Sequence, residues 1–287
     1  MIRSLFQSLL TTIRTAVHRR FDRLHADREQ PLLSIIVCSV DDQRFARCRA
    51  NWRKRLGDRR YELIRIADAR SLAEGYNRGL QLSRGALLVF CHDDIEILQA
   101  DIYTRIAEHL KSADVIGVAG TSRLVDGSWL SAGQPDIHGQ VVQPAQSGEG
   151  VTLDVFGLAS QATGKTIQAL DGLFLAMNRS VAESLHFDAV HFDGFHLYDI
   201  DFTFRAHLAR FRLAVCHNIL IYHQSRGQHN DAWRRYRAIF ERQYAGQLSP
   251  APVSAPHFYS LGMRDKDEAL AQFQNLSLGQ GVIVANV

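Results

Sequence analysis

The chain has 287 residues, 46% hydrophobic and 22% charged, with a formal net charge of +3 and a pI near 8.7. That is enough apolar side chain for one sizeable core with appendages, and too balanced a charge to hold nucleic acid through a global field. Four cysteines without a C-x-x-C pair, three of them in apolar runs, exclude a disulfide framework and a cysteine zinc site and fit a reduced, cytoplasmic protein.

No run approaches the ~18 apolar residues that span a bilayer, and the N-terminus lacks the apolar core and cleavage site of a secretory signal. Residues 1–30 place Ile2, Leu5, Phe6, Leu9, Leu10, Ile13, Val17, Phe21 and Leu24 at steps of three and four, with arginines elsewhere around the helix. Such a basic amphipathic helix suits either an anionic membrane surface, here the inner face, or packing on its own domain or a second copy. Pro31 ends it.

Residues 32–38 read as a first strand, 44–56 as a basic helix closed by Gly57, and 61–67 as a second strand ending at Asp68. Residues 71–83 read as a helix with Leu72, Tyr76 and Leu80 on one side and Gly75, Asn77 and Gly79 allowing close approach. Gly85 closes it, and the apolar run 86–91 follows as a strand buried on both faces. Three strands and two helices in this order make the βαβαβ half of a Rossmann-like sheet, with right-handed crossovers. The turn Ser39-Val40-Asp41-Asp42 carries no G-x-G-x-x-G, which argues against a dinucleotide enzyme. It carries no glycine-rich basic loop of a nucleotidyltransferase either.

Residues 99–111 read as a helix and 114–119 as a fourth strand. From 120 to 164 the composition shifts to Gly, Ser, Gln and Pro, which reads as hairpins and loops, a surface excursion suited to an acceptor-side lid. Residues 167–177 read as strand, tight bend at Asp171-Gly172, strand; 179–185 as a short helix; and 198–209 as a helix with Asp199 and Asp201 in its first turn. Two short strands at 213–216 and 219–222, the second running into His223, precede a last amphipathic helix at 231–244 and a loosely attached tail.

The strand over 86–91 stops at His92, Asp93 and Asp94, with Glu96 two residues on. Grouping these where an interior strand ends costs desolvation energy unless a cation or ligand offsets it. In open α/β sheets that end is where ligands sit. An N-cap on a following helix would account for one aspartate. The acidic pair with its histidine points instead to a divalent cation and a phosphate-bearing substrate.

Together, Ser34-Ile35-Ile36-Val37-Cys38-Ser39, Tyr76-Asn77-Arg78-Gly79, Ser83-Arg84-Gly85, Leu88 through Asp94, Asp171 through Ala176, Tyr198 through Arg205, and Ile221-Tyr222-His223 resemble the family-2-like glycosyltransferases of GT-A fold. They are closest to the subgroup related to the streptomycin-biosynthesis glycosyltransferase-like proteins. The resemblance covers roughly residues 33–230. It implies an α/β fold with a mostly parallel central sheet flanked by helices. Residues 31–246 form the domain (31–119 the nucleotide-binding half, 120–246 the acceptor half), residues 1–30 an N-terminal helix and residues 247–287 a C-terminal extension.

The resemblance further implies an inverting transfer from a UDP-, GDP- or dTDP-sugar to a glycan or lipid-linked acceptor, as in cell-surface polysaccharide biosynthesis. Asp94, with His92 and His223, is then the site of Mn²⁺ or Mg²⁺, and an imidazole in the first position favours Mn²⁺. Ser39, Asp68, Asn77 and Asp93 fall at nucleotide-sugar contacts, Asp68 serving equally well as a cap on the next helix. Asp199 falls at the general base, with Tyr198 where the family has glutamate, and Asp171 and Gly172 at the acceptor side. Asp201 turns away from Asp199 and is expected to pair with Arg205. The departures at His92 and Tyr198 leave open a non-catalytic sugar-nucleotide or glycan-binding protein on the same fold.

Overall fold

The computed structural model describes residues 31–157, 165–227, 230–250 and 258–277. The helix expected over residues 1–30 lies outside these described residues. Strand β1 (Leu33–Cys38) is apolar on both faces and runs parallel to β2 (Tyr61–Ile66) on one side and β3 (Leu87–Cys91) on the other. Helix α1 (Asp42–Leu56) starts where the Asp41 carboxylate accepts from the N–H groups of Gln43 and Arg44. It stops at Gly57, whose φ of +56° a side chain would resist. Helix α2 (Leu72–Leu82), capped by Ser71, lies so close to β1 that a methyl on Gly75 or Gly79 would overlap Cys38 or Ile36.

Beyond β3 come β4 (Ile95–Ile97), α3 (Ile102–Ser112), β5 (Val115–Gly117) and β6 (Ala119–Thr121). The single strand expected over 114–119 is thus two, shared between two sheets. The hairpin β7 (Ile137–Pro144) and β8 (Val151–Gly157) is followed by β9 (Ala169–Leu170), β10 (Phe174–Asn178), α4 (Arg179–Ser184), α5 (Tyr198–Leu208), β11 (Leu213–Val215), β12 (Ile221–His223) and α6 (Asp231–Gln243).

The central sheet has the order β11-β5-β10-β3-β1-β2. Only β10 runs against the rest, antiparallel to both β3 and β5. Helices flank this sheet, so the α/β class with a mostly parallel centre is the one expected. A second sheet, β13-β8-β7-β12-β4 with β6 and β9 beside it, stands at the strand ends, β13 being Tyr259–Met263.

The β7–β8 hairpin agrees with the hairpins expected over 120–164, while its burial within a second sheet corrects the expectation of a surface excursion. Strand β7 is buried along most of its length although its sequence, Ile-His-Gly-Gln-Val-Val-Gln-Pro, is half polar. Its burial is tolerated because the Gln140 amide donates to the carbonyls of Cys216 and Ile219 at 3.0 and 2.7 Å. β7 and β8 thus form a buried wall. The tail beyond Pro250 is likewise more than a loose appendage. β13 pairs along β8, and α7 (Lys266–Ser277) buries Ala269 and Phe273 against Val142, Leu153 and Leu220. Among the described residues no helix is long and apolar enough to cross a membrane.

Candidate active site

β3 ends at Cys91, and the next three residues open on the carboxyl edge of the sheet. β12 pairs antiparallel with β4 so that His223 lies opposite Ile95, which swings its imidazole toward the loop. As a result His92 Nδ1 is 3.4 Å from His223 Nε2, and Asp94 Oδ1 is 3.3 Å from His223 Nε2 and 4.0 Å from His92 Nδ1. The three donor atoms all lie within 4.8 Å of one another. Ligands about 2.1 Å from a common ion stand about 3–4 Å apart, so the cluster has the dimensions of a divalent metal site. Burial would raise the Asp94 carboxyl, but the hydrogen bond and charge of His223, with Ser225, hold it well below the usual carboxylate range. Burial, reinforced by the charge of His223, depresses His92 and favours the neutral imidazole that a metal requires.

Tyr198 decides which nitrogen of His92 faces the cluster. Its hydroxyl donates to the Gly172 carbonyl at 3.2 Å and therefore accepts from His92 Nε2–H at 2.9 Å. That leaves the Nδ1 lone pair directed at Asp94 and His223. Burial keeps the Tyr198 phenol protonated. Its ring is fixed by Tyr76, 5.6 Å away and edge-on, and by Phe187.

Asp199 lies one residue further, at the start of α5, where Leu197 takes a φ of 58°. Its Oδ2 accepts from the Gly172 N–H at 2.7 Å. A Cβ on Gly172 would sit 2.5 Å from that of Asp199, so the close approach of turn and helix requires glycine. Asp171 turns the other way, accepting from Trp129 Nε1 at 2.8 Å and from the Leu173 N–H at 2.9 Å. Burial, and then the charge of Asp171, push the Asp199 carboxyl up to about 7, against the opposing pull of backbone N–H groups.

Two cavities meet at His92. The larger, about 480 Å³, is lined by His92, His223, Asp171, Tyr198 and Asp199 on one side and by residues of β7 and β8 on the other. The smaller, about 390 Å³, is lined by Ser39, Arg44, Asp93, Asp94 and Phe195 among others. There Ser39 Oγ donates to Asp93 Oδ2 at 2.7 Å, and Arg44 stands 3.8 Å from the other oxygen.

Most of the residues singled out in the sequence therefore meet at one cleft, but Asn77, Asp68 and Glu96 do not. The Asn77 amide is spent on the Phe187 backbone, donating to its carbonyl at 2.8 Å and accepting from its N–H at 3.0 Å. It clamps a loop, and it lines neither cavity at His92. Asp68 is exposed and held by Arg78 at 2.8 Å; its neighbour Ala69 lines the smaller cavity, and Asp68 does not. Glu96 is ion-paired with Lys266, away from the metal donors. Asp201 pairs with Arg205 at 2.7 Å, as expected.

Sequence reasoning missed Arg44, read only as part of a basic helix, and Trp129 and Asp154, which lie in the stretch read as hairpins and loops. Nothing local marks them. Arg44 reaches the cleft from the first turn of α1, Trp129 from a short 3-10 turn and Asp154 from β8.

Adjoining cavities at the carboxyl edge of a parallel sheet, with candidate metal donors where they meet, form the layout of a protein that brings two substrates together. Residues 34–244 match the model described as "Glycosyltransferase like family", and the chain belongs to that glycosyltransferase-like family. Among solved structures it resembles the mannosyltransferase PcManGT from Pyrobaculum calidifontis in complex with GDP-Man and Mn²⁺, at 12% identity over 79% of this chain and 67% of that one, with a TM-score of 0.47. A second similar structure is A197 from STIV, at 12% identity over 68% of this chain and 86% of that one, with a TM-score of 0.39. No curated protein matches the sequence.

Proposed function

We propose that this protein transfers a sugar from a nucleoside-diphosphate donor to a hydroxyl of a glycan or lipid-linked acceptor, with inversion. The carrying observation is that Asp199, with its carboxyl raised to about 7, lines the same cavity as His92 and His223 of the metal-type cluster. A carboxylate poised there suits proton removal from an acceptor hydroxyl near neutral pH. As the acceptor oxygen bonds to the anomeric carbon, the bond to the diphosphate breaks and its electron pair leaves with the phosphate. The acceptor proton passes to Asp199.

A divalent ion, when bound by His92, Asp94 and His223, would supply positive charge against the leaving diphosphate. Mixed imidazole and carboxylate donors suit Mn²⁺ better than Mg²⁺. In the adjoining cavity Arg44 supports a phosphate, while Ser39 and Asp93 offer polar groups to the nucleoside. Cytoplasmic action on a membrane-borne, cell-surface glycan belongs to the same proposal, with residues 1–30 as the membrane contact.

The test is metal-dependent hydrolysis of UDP-, GDP- and dTDP-sugars by wild type and Asp199→Asn. Turnover of one donor class, lost in the variant, supports the proposal. Equal rates in both remove Asp199 from the chemistry, and donor binding without any turnover favours a binding protein.

A further inference from the structure

The match to the glycosyltransferase-like family ends at residue 244, yet the chain goes on to build part of the larger cavity. β13 lies antiparallel along β8, with Tyr259 opposite Val155 and Met263 opposite Val151. Two side chains at its start reach the cleft wall. Phe258 sets its ring 4.9 Å from that of Phe156, which meets Trp129 edge-on at 4.8 Å. Ser260 Oγ donates to Asp154 Oδ1, in a residue only 4% exposed. Phe258, Phe156, Trp129 and Asp154 all line the cavity that contains Asp199.

A carboxylate buried to this degree is costly unless it is paired or hydrogen-bonded. Asp154 makes no ion pair among the described residues. Arg226 lines the same cavity but directs its guanidinium to the Pro144 carbonyl and the Thr152 hydroxyl. Aromatic rings beside a carboxylate acceptor match a ligand with C–H faces and hydroxyl edges. A purely apolar ligand would add no donor to the carboxylate beyond Ser260, and a polyanion would be repelled by Asp154, Asp171 and Asp199 together.

We infer that residues 258–260 complete a carbohydrate subsite at the acceptor end of the cleft. A pyranose ring packs in the corner of Phe156 and Phe258, and its hydroxyls donate to Asp154. Of the residues that form it, Phe258 and Ser260 lie beyond the stretch shared with the family, while Trp129, Asp154 and Phe156 lie within it. The inference rests on the transferase assignment for its orientation toward Asp199.

The test is saturation-transfer NMR of the full chain with the methyl glycosides of glucose, galactose and mannose as probes, and cyclohexanol as the control. At least one glycoside is expected to receive saturation on its ring protons while cyclohexanol does not. Asp154→Asn and Phe258→Ala should each weaken that binding about tenfold, the cost of a lost hydrogen bond or ring contact. Phe258→Tyr should keep it, and Ser260→Ala, at an exposed edge position, gives a variant with little risk to folding. Mn²⁺ affinity, read by electron paramagnetic resonance, should be unchanged in all of them and certifies the fold. No glycoside binding, or binding indifferent to Asp154, Phe258 and Ser260, overturns the inference. Glycoside binding without binding of GDP or UDP would retain the subsite and sink the donor assignment; the reverse would retain the donor site and remove the subsite.

Discussion

The Gly172 N–H and the Asp199 carboxylate are joined by a 2.7 Å hydrogen bond across a contact too tight for any side chain at position 172. The glycine turn thus sets where the carboxylate points. Gly172→Ala should push α5 back and reduce transfer by about 100-fold, the scale of losing one aligned catalytic group. Steady-state kinetics with a donor sugar would check this, with circular dichroism to show that the fold survives.

The pH response follows from the same carboxylate. Asp199 lies at about 7 in the folded protein against an ordinary 3.8, so the folded state holds an extra proton between those values. On the proposed mechanism transfer should rise as pH passes through 7, since a general base acts deprotonated. Stability should move oppositely, falling from pH 4 to 7 as the carboxyl ionises in the unfolded chain while the buried one stays protonated. Asp199→Asn escapes that cost. It should match wild type below pH 4 and exceed it above pH 7 by on the order of 4 kcal/mol, as measured by urea unfolding across pH.

Tyr198 touches the metal-type cluster only through His92. Tyr198→Phe removes the acceptor for His92 Nε2–H and frees the imidazole to change tautomer. Mn²⁺ affinity is expected to drop about tenfold, the usual effect of losing a partner behind a metal ligand. Titration of Mn²⁺ by electron paramagnetic resonance would show it, and unchanged affinity would assign Tyr198 to packing alone.

The order of elements was legible because apolar periodicity switches cleanly between strand and helix through residues 32–119. The stop of β3 at His92 marked the cleft for the same reason: polar groups at the end of a fully buried strand need a purpose. The second sheet was legible only in pieces, as a hairpin and the strand before His223, and its assembly was not. Its strand β7 carries His138, Gly139 and Gln140 inside, and their satisfaction depends on partners near residues 122 and 216–219 that no local pattern announces. Asn77 shows the converse. Its place in a family-like motif suggested a ligand contact, while its amide instead pairs with a backbone 110 residues away.

Asp201 separates stability from activity. Its fully buried carboxylate accepts from Arg205 at 2.7 Å and from the Tyr244 hydroxyl at 2.6 Å. Arg205→Ala leaves that charge without its cation and should cost about 3 kcal/mol, against about 1 kcal/mol for Tyr244→Phe. Denaturant midpoints would measure both, and Mn²⁺ affinity should be untouched in each.

Calorimetric titration of GDP and UDP, with and without Mn²⁺, into wild type, Asp94→Asn and Asp199→Asn tests the central claim most directly. Binding of at least one nucleotide that requires Mn²⁺, vanishes in Asp94→Asn and persists in Asp199→Asn is the predicted result. Binding that ignores Mn²⁺, or that survives the loss of the Asp94 carboxylate, would contradict a metal-held donor beside His92, Asp94 and His223.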